Sequence, residues 1–133
     1  MAPKALTGLI ERIRGPRAGL EGEDLACRHL AAQGYAILAR NFRCRSGEVD
    51  VVARDGAVTV FVEVKHRRGS GHGAGHESVT FGKRRRIVRA ARIFASARGL
   101  TESPLRFDVI SIDEADGRTA IRHDRGAFDV DGA

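Results

Sequence analysis

Glu63 and Lys65 stand one residue apart near the end of the apolar run Val58-Thr59-Val60-Phe61-Val62-Glu63-Val64-Lys65-His66-Arg67. Strand side chains alternate between faces and rise about 3.3 Å per residue, so this carboxylate and ammonium project from one face roughly 6–7 Å apart. Val58, Val60, Val62 and Val64 take the other face. A run this long and this β-branched reads as a strand buried on both sides. Charges inside such a strand are costly unless compensated, and a divalent cation is one compensation. The plainer reading is an ordinary ion pair at a strand end. Lysine usage weighs against it: of 23 Lys and Arg, only Lys4, Lys65 and Lys83 are lysine. Where any cation would serve the chain uses arginine, whereas a compact ammonium with rotatable donors suits work beside a metal and a water.

Two further acids belong to the argument. Glu48–Ala53 reads as a strand, and Arg54-Asp55-Gly56-Ala57 as the hairpin turn that joins it to the Glu63 strand, Asp55-Gly56 being a type I′ signal. A loop with an even number of residues pairs Asp50 with Phe61 and puts Asp50 on the face of Glu63 and Lys65. An odd loop turns it away unless a bulge restores it. Glu48 shares that face as a rim charge. Glu23 lies on the inner stripe of a helix spanning Leu20 to Gln33, with Ala26, Cys27, Leu30 and Ala31, and Gly34 as its stop. An acid placed in a first turn to complement the helix dipole is the alternative reading of Glu23.

Composition bounds the partners. At 133 residues, 42% hydrophobic and 30% charged, the chain is expected to form a single globular domain that buries roughly two-thirds of its surface. A net charge of +6 and a pI near 10.3 point to a polyanion, most simply nucleic acid. Cys27 and Cys44 have neither zinc-site nor disulfide-framework spacing, which fits a reducing cytoplasm. Leu9-Ile10, followed by Glu11 and Arg12, is too short for a signal peptide or a spanning helix, so no membrane association is expected.

The remaining elements position these residues. Tyr35–Phe42, Leu105–Ile112 and Thr119–His123 read as further strands, the last an edge strand after the Asp116-Gly117 turn. Arg106 and Asp108 share a face. His66–His76 is Gly-rich and reads as an exposed basic loop containing Arg67 and Arg68. Its His72 and His76 lack a third zinc ligand and read as loop residues. Ser78–Arg98 reads as a basic helix with Ile87, Ala90, Ala91 and Phe94 as core stripe and Lys83 extending that stripe inward. With only 5% aromatics and no Trp, backbone contact to duplex or junction DNA through Arg67, Arg68, Lys83, Arg84, Arg85, Arg86 and Arg89 fits better than base stacking.

Glu23, GEVD (47–50), FVEVKHR (61–67), Lys83 and RFDV (106–109), in this order and spacing, resemble the YraN-like family, which is similar to archaeal Holliday junction resolvases and is placed in the PD-(D/E)xK nuclease superfamily. The resemblance runs from about Gly19 to Phe128. It implies an α/β fold with a restriction-endonuclease-like core, a mixed central sheet of about five strands flanked by helices. It divides the chain into a basic N-terminal arm (1–18), one nuclease-like domain (19–128) and a loose tail (129–133). It further implies a magnesium site, open also to manganese, made by Asp50, Glu63 and the Val64 carbonyl, with Glu23 as an additional ligand or water-orienting acid and Lys65 holding the attacking water. Related resolvases act as dimers, which implies a homodimer. Val49 and His66 depart from the superfamily pattern, where proline and a small polar residue are common, but neither removes a ligand. The alternative is a non-catalytic nucleic-acid-binding protein that retains the nuclease fold.

Overall fold

Val60, Phe61 and Val62 are all fully buried, which requires cover on both faces of their strand, and the chain supplies one helix to each. In the computed structural model, which describes residues 18–69 and 79–133, the order is α1 (Ala18–Ala32), β1 (Ala36–Cys44), β2 (Gly47–Asp55), β3 (Val58–Arg68), α2 (Phe81–Ala97), β4 (Leu105–Ala115) and β5 (Arg118–Phe128). The five strands lie side by side in sequence order. β1, β2 and β3 form an antiparallel meander, β3 and β4 are parallel, and β4 and β5 form an antiparallel hairpin. The parallel pair needs a crossover, which the α2 segment provides. The expected α/β architecture, a mixed five-stranded sheet flanked by helices and consistent with a restriction-endonuclease-like core, is the one observed. No described helix is long and apolar enough to cross a membrane.

Two apolar layers follow from strand alternation. Ala26, Cys27 and Leu30 of α1 pack on Val51, Val60, Val62, Ile110 and Ile112. Ile87, Ala91 and Phe94 of α2 pack on Val52, Phe61, Phe107 and Phe128. Phe61 stacks on Phe107 at 5.6 Å and meets Phe94 edge-on at 6.0 Å, geometries that favour the aromatic quadrupoles. Gly34, with φ +93°, ends α1 in the left-handed conformation that glycine adopts without strain. Thr80 caps α2, its Oγ1 accepting from Lys83 N at 3.2 Å.

Several element ends differ from the sequence reading. His66, Arg67 and Arg68 belong to β3 and not to a loop, because β4 offers Ile112, Asp113 and Glu114 as parallel partners. Their side chains are also held: His66 by Glu114, Arg67 by Asp113 at 3.5 Å, and Arg68 by Glu21 and Glu114. β5 runs from Arg118 to Phe128, five residues beyond the expected end at His123. The Gly-rich segment with His72 and His76, and residues 1–17 of the basic arm, lie outside the described residues. The two Asp-Gly turns also diverge. Asp116-Gly117 has positive φ at both residues, as type I′ requires, whereas the β2–β3 loop is Gly56-Ala57 with positive φ at Gly56 alone, the type II′ pattern.

Arg106 and Asp108, on one face of β4 as expected, anchor a polar network near the hairpin end of β3. Arg106 donates to Asp108 through Nε (2.9 Å) and Nη2 (2.9 Å), to Asp55 (3.0 Å) and to the Tyr35 hydroxyl (2.6 Å). The Asp108 carboxylate also meets His123 Nε2 at 2.8 Å and accepts from Gly126 N at 3.0 Å, the latter delivered by a bulge in β5 where Gly126 has φ +61°. Burial alone would raise the Asp108 carboxyl, but the bonds from His123, Arg106 and Gly126 outweigh it and hold the group at about 2. A carboxylate depressed in this way contributes stability that is complete above its unfolded value near 4 and is lost as pH falls toward 2. Asp108→Asn is therefore expected to cost about 2 kcal/mol at neutral pH and to flatten the acid limb of the stability profile between roughly pH 4 and 2. Urea titrations across that range check both; an unchanged acid limb would contradict the assignment.

Candidate active site

The β2–β3 ladder runs from Asp55–Val58 to Val51–Val62 and stops there. Beyond it β3 continues with β4 alone, pairing Glu63 with Val109 and Lys65 with Ser111. The sheet thus forks at Asp50 and Glu63, which the two-residue loop sets opposite one another. Asp50 was expected opposite Phe61; the turn is displaced by one residue, which moves the register by two and leaves the parity unchanged. At the fork the backbone N–H of Val64 donates to Asp50 Oδ2 at 2.8 Å, so a side-chain oxygen replaces the lost ladder acceptor.

Strand alternation from Val52 delivers Asp50 to the α2 side, and the pattern breaks just beyond it. Arg40 and Val51 are paired and face α1, where Arg40 meets Asp24 at 2.9 Å. The next pair, Phe42 and Val49, packs on the α2 side, with Phe42 edge-on to Phe94. The faces exchange across Asn41 and Asp50. Asn41 has φ +53°, a left-handed conformation that asparagine tolerates better than most residues. Gly47 contributes to the same exchange: a Cβ there would collide with the Arg86 carbonyl, so α2 can approach β2 this closely only over glycine.

Asp50 and Glu63 open onto a cleft of about 490 Å³ between the fork and the start of α2, lined also by Glu48, Thr80, Lys83 and Arg86. Burial first, and then the negative charge of Glu63, push the Asp50 carboxyl far above the usual carboxylate range, more than the Val64 N–H bond can offset. Lys83 Nζ lies 2.6 Å from Glu63 Oε2, and that bond raises the Lys83 ammonium. Lys65, half-buried on β3, follows Glu63 by two residues.

Glu23 is buried nearby, near enough for its charge to act on Asp50. Burial raises its carboxyl, while a bond from Asn41 and the charge of Arg40, whose Nη2 is 3.8 Å away, lower it. Glu23 is thus tied to β1, and among the described residues no three His, Cys, Asp or Glu side chains form a metal-ligand group. Arg40, whose side chain is 0% exposed, is the site residue that sequence reasoning passed over. Its signal was a charged residue in mid-strand opposite the acidic pair Glu23-Asp24, too common a pattern to single out.

The donor set still fits a hard divalent cation. Two carboxylates that crowd one another in a partly buried cleft are relieved by a cation, and magnesium commonly takes one or two carboxylates and completes its sphere with water and phosphate oxygens. The expected basic residues divide into two groups. Lys83, Arg85, Arg86 and Arg89 are exposed on α2. Arg84 is committed elsewhere, donating to Val79 O at 2.9 Å and Gly132 O at 3.3 Å and lying over the Phe128 ring. Arg67 and Arg68 pair with acids of β4 and α1.

The model of the uncharacterised protein family UPF0102 matches residues 22–112. Among curated proteins, the UPF0102 protein STH1475 of Symbiobacterium thermophilum is 47% identical over 113 residues, which cover 84% of this chain and 96% of that protein. The UPF0102 protein Franean1_1156 of a Parafrankia species is 48% identical over 118 residues, 84% and 96%. The UPF0102 protein GSU0650 of Geobacter sulfurreducens is 51% identical over 94 residues, 71% and 73%.

The crowding of Asp50 has a measurable consequence. A carboxyl whose folded pKa lies above its unfolded value of about 4 contributes most at acid pH, and the contribution is lost as pH rises through the folded value. Asp50→Asn keeps an oxygen for the Val64 N–H but removes the repulsion. With metal chelated, the variant is expected to be more stable than the wild type by on the order of 1 kcal/mol at pH 8, and the gap should close toward pH 4. Thermal melts at several pH values decide it; a variant less stable at pH 8 would refute the reading.

Proposed function

The chain belongs to the uncharacterised protein family UPF0102, and we propose that it is a magnesium-dependent endonuclease of the cytoplasm that hydrolyses phosphodiester bonds in DNA, branched or otherwise structured substrates included. The observation that carries this reading is the fork itself: two adjoining carboxylates, Asp50 and Glu63, with Lys65 two residues on and the exposed arginines of α2 beside them. Asp50, Glu63 and the Val64 carbonyl would hold the cation, Mn²⁺ serving in place of Mg²⁺. When bound, the cation polarises a phosphoryl oxygen and lowers the pKa of a water.

The chain's own residues do the rest. Lys65 orients the attacking water and offsets charge that develops on the phosphorus, a role that a compact ammonium fills without a fixed fork geometry. Glu23 is held by Asn41 and Arg40, and on this reading it orients water from the α1 side. Arg85, Arg86 and Arg89 meet backbone phosphates, and this fixes the scissile bond in line with the nucleophile. The scarcity of aromatic residues favours duplex backbone over stacked single strands.

A second reading is a nucleic-acid-binding protein that keeps the fold without turnover. It is favoured by the Lys83–Glu63 bond and by the lack of a ready three-ligand group among the described residues.

Cleavage of branched, flapped, single-stranded and duplex DNA with Mg²⁺ or Mn²⁺ tests the proposal. Glu63→Ala and Lys65→Ala are each expected to lower the rate about 100-fold or more while leaving binding largely intact. Salt-dependent binding without cleavage of any substrate would favour the second reading, and an active Glu63→Ala protein would remove Glu63 from the chemistry.

A further inference from the structure

The Lys83–Glu63 bond joins two partners of different build. The Glu63 side chain is 6% exposed, on a strand held by its parallel ladder to β4. The Lys83 side chain is 54% exposed and extends on four rotatable bonds from the first turn of α2. The anion is therefore fixed, and its cation reaches it from the surface. Around them, Asp50 and Glu48 add negative charge, while Thr80 and Gly82 line the same cleft. A Cβ built on Gly82 meets nothing within 4 Å, so the space beside this turn is open.

We propose that Lys83 is the resident counter-ion of the acidic cleft in the metal-free protein: a divalent cation displaces it from Glu63, and the released ammonium turns outward to a substrate phosphate. This rests on the metal-dependent reading above and deepens it with an order of events. Two crowded carboxylates prefer a double charge to a single one, so the exchange runs toward the metal once it is present. The monodentate contact is also exchangeable in a way that a bidentate arginine–carboxylate pair is not. Lysine at this position, in a helix turn otherwise built from Arg84, Arg85 and Arg86, then has a chemical reason.

The test is calorimetric titration of the full chain with Mn²⁺. Because the displaced lysine is half-exposed, Lys83→Met is expected to bind Mn²⁺ roughly three- to fivefold more tightly than the wild type. Lys83→Arg, which restores a cation on Glu63, should bind no more tightly than the wild type. Arg86→Met removes an equal charge from the cleft rim without removing the Lys83–Glu63 contact, and should shift affinity less than Lys83→Met. In Ca²⁺, which lets binding be read apart from turnover, Lys83→Met should bind duplex DNA more weakly than the wild type, and without a divalent ion the difference should shrink. A Lys83→Met protein that binds Mn²⁺ equally or more weakly than a Mn²⁺-binding wild type overturns the exchange alone. Failure of both to bind overturns the exchange together with the metal-dependent reading. Lys83→Gln replaces Lys83→Met if the latter loses its native circular dichroism.

Discussion

A buried backbone N–H must have an acceptor, and at Val64 the strand that should supply it has turned away. Asp50 supplies it instead, at 2.8 Å. This substitution ties together features that otherwise look unrelated. The sheet can fork only if the groups released from the ladder are satisfied, and the group that satisfies one of them is the acid that the site needs. The fork in turn opens the cleft toward α2, so the same bond that repairs the sheet brings Asp50 beside Glu63. Its cost is electrostatic, because burial and a like charge leave the Asp50 carboxyl far from its ordinary range. The most functional-looking part of the molecule is thus a local compromise inside an otherwise regular meander.

The basic balance of the chain is distributed unevenly, and the distribution matters more than the sum. Arg40 is buried against Glu23 and Asp24, Arg106 is bonded to Asp108, Asp55 and Tyr35, and Arg84 and Arg98 lie over phenylalanine rings. These arginines hold elements together, three of them through planar bidentate or stacked geometry that lysine does not match. On the outer face of α2, Arg85, Arg86, Arg89 and Arg92 are exposed while Ile87, Ala91 and Phe94 of the same helix are fully covered. A phosphate backbone laid along that face would pass the mouth of the acidic cleft, because Lys83 and Arg86 belong to both.

Period-2 and period-3.6 patterns made most of the fold legible in the sequence. The strands, the two helices and their inner stripes followed from residues whose burial is dictated by alternation, such as Val60, Phe61 and Val62, whereas the mixed sheet came from the family resemblance. What alternation could not show was any place where it fails. Asn41 sits at positive φ and the faces of β1 and β2 exchange there, so that Val49 joins the α2 layer on the same side as Asp50, whose own place parity with Val52 had given. Likewise the end of β3 was assigned to the Gly-rich loop because Arg67 and Arg68 look solvent-seeking, although acids on β4 and α1 meet them. Pairing across a parallel ladder depends on a partner some 45 residues away, which local pattern does not contain. The RFDV segment entered only through the family resemblance, and its charges serve the network around Asp108.

The GEVD segment can now be read residue by residue as a device for placing one carboxylate. Gly47 lets the α2 backbone come closer to β2 than any side chain would allow. Glu48 stays exposed at the rim, and Val49 enters the layer beneath α2. With the helix seated by Gly47 and Val49, its first turn is carried over the fork, where Lys83 is the residue that reaches Glu63. Of the two lysines of the described chain, Lys83 meets this acid across a helix contact that a glycine makes possible, and Lys65 follows it by two residues on β3. Apart from these two, the Lys and Arg side chains of the described residues are all arginines. On the proposed reading an amine stands where a partner would have to be released or a water handled, and Glu63 would demand both.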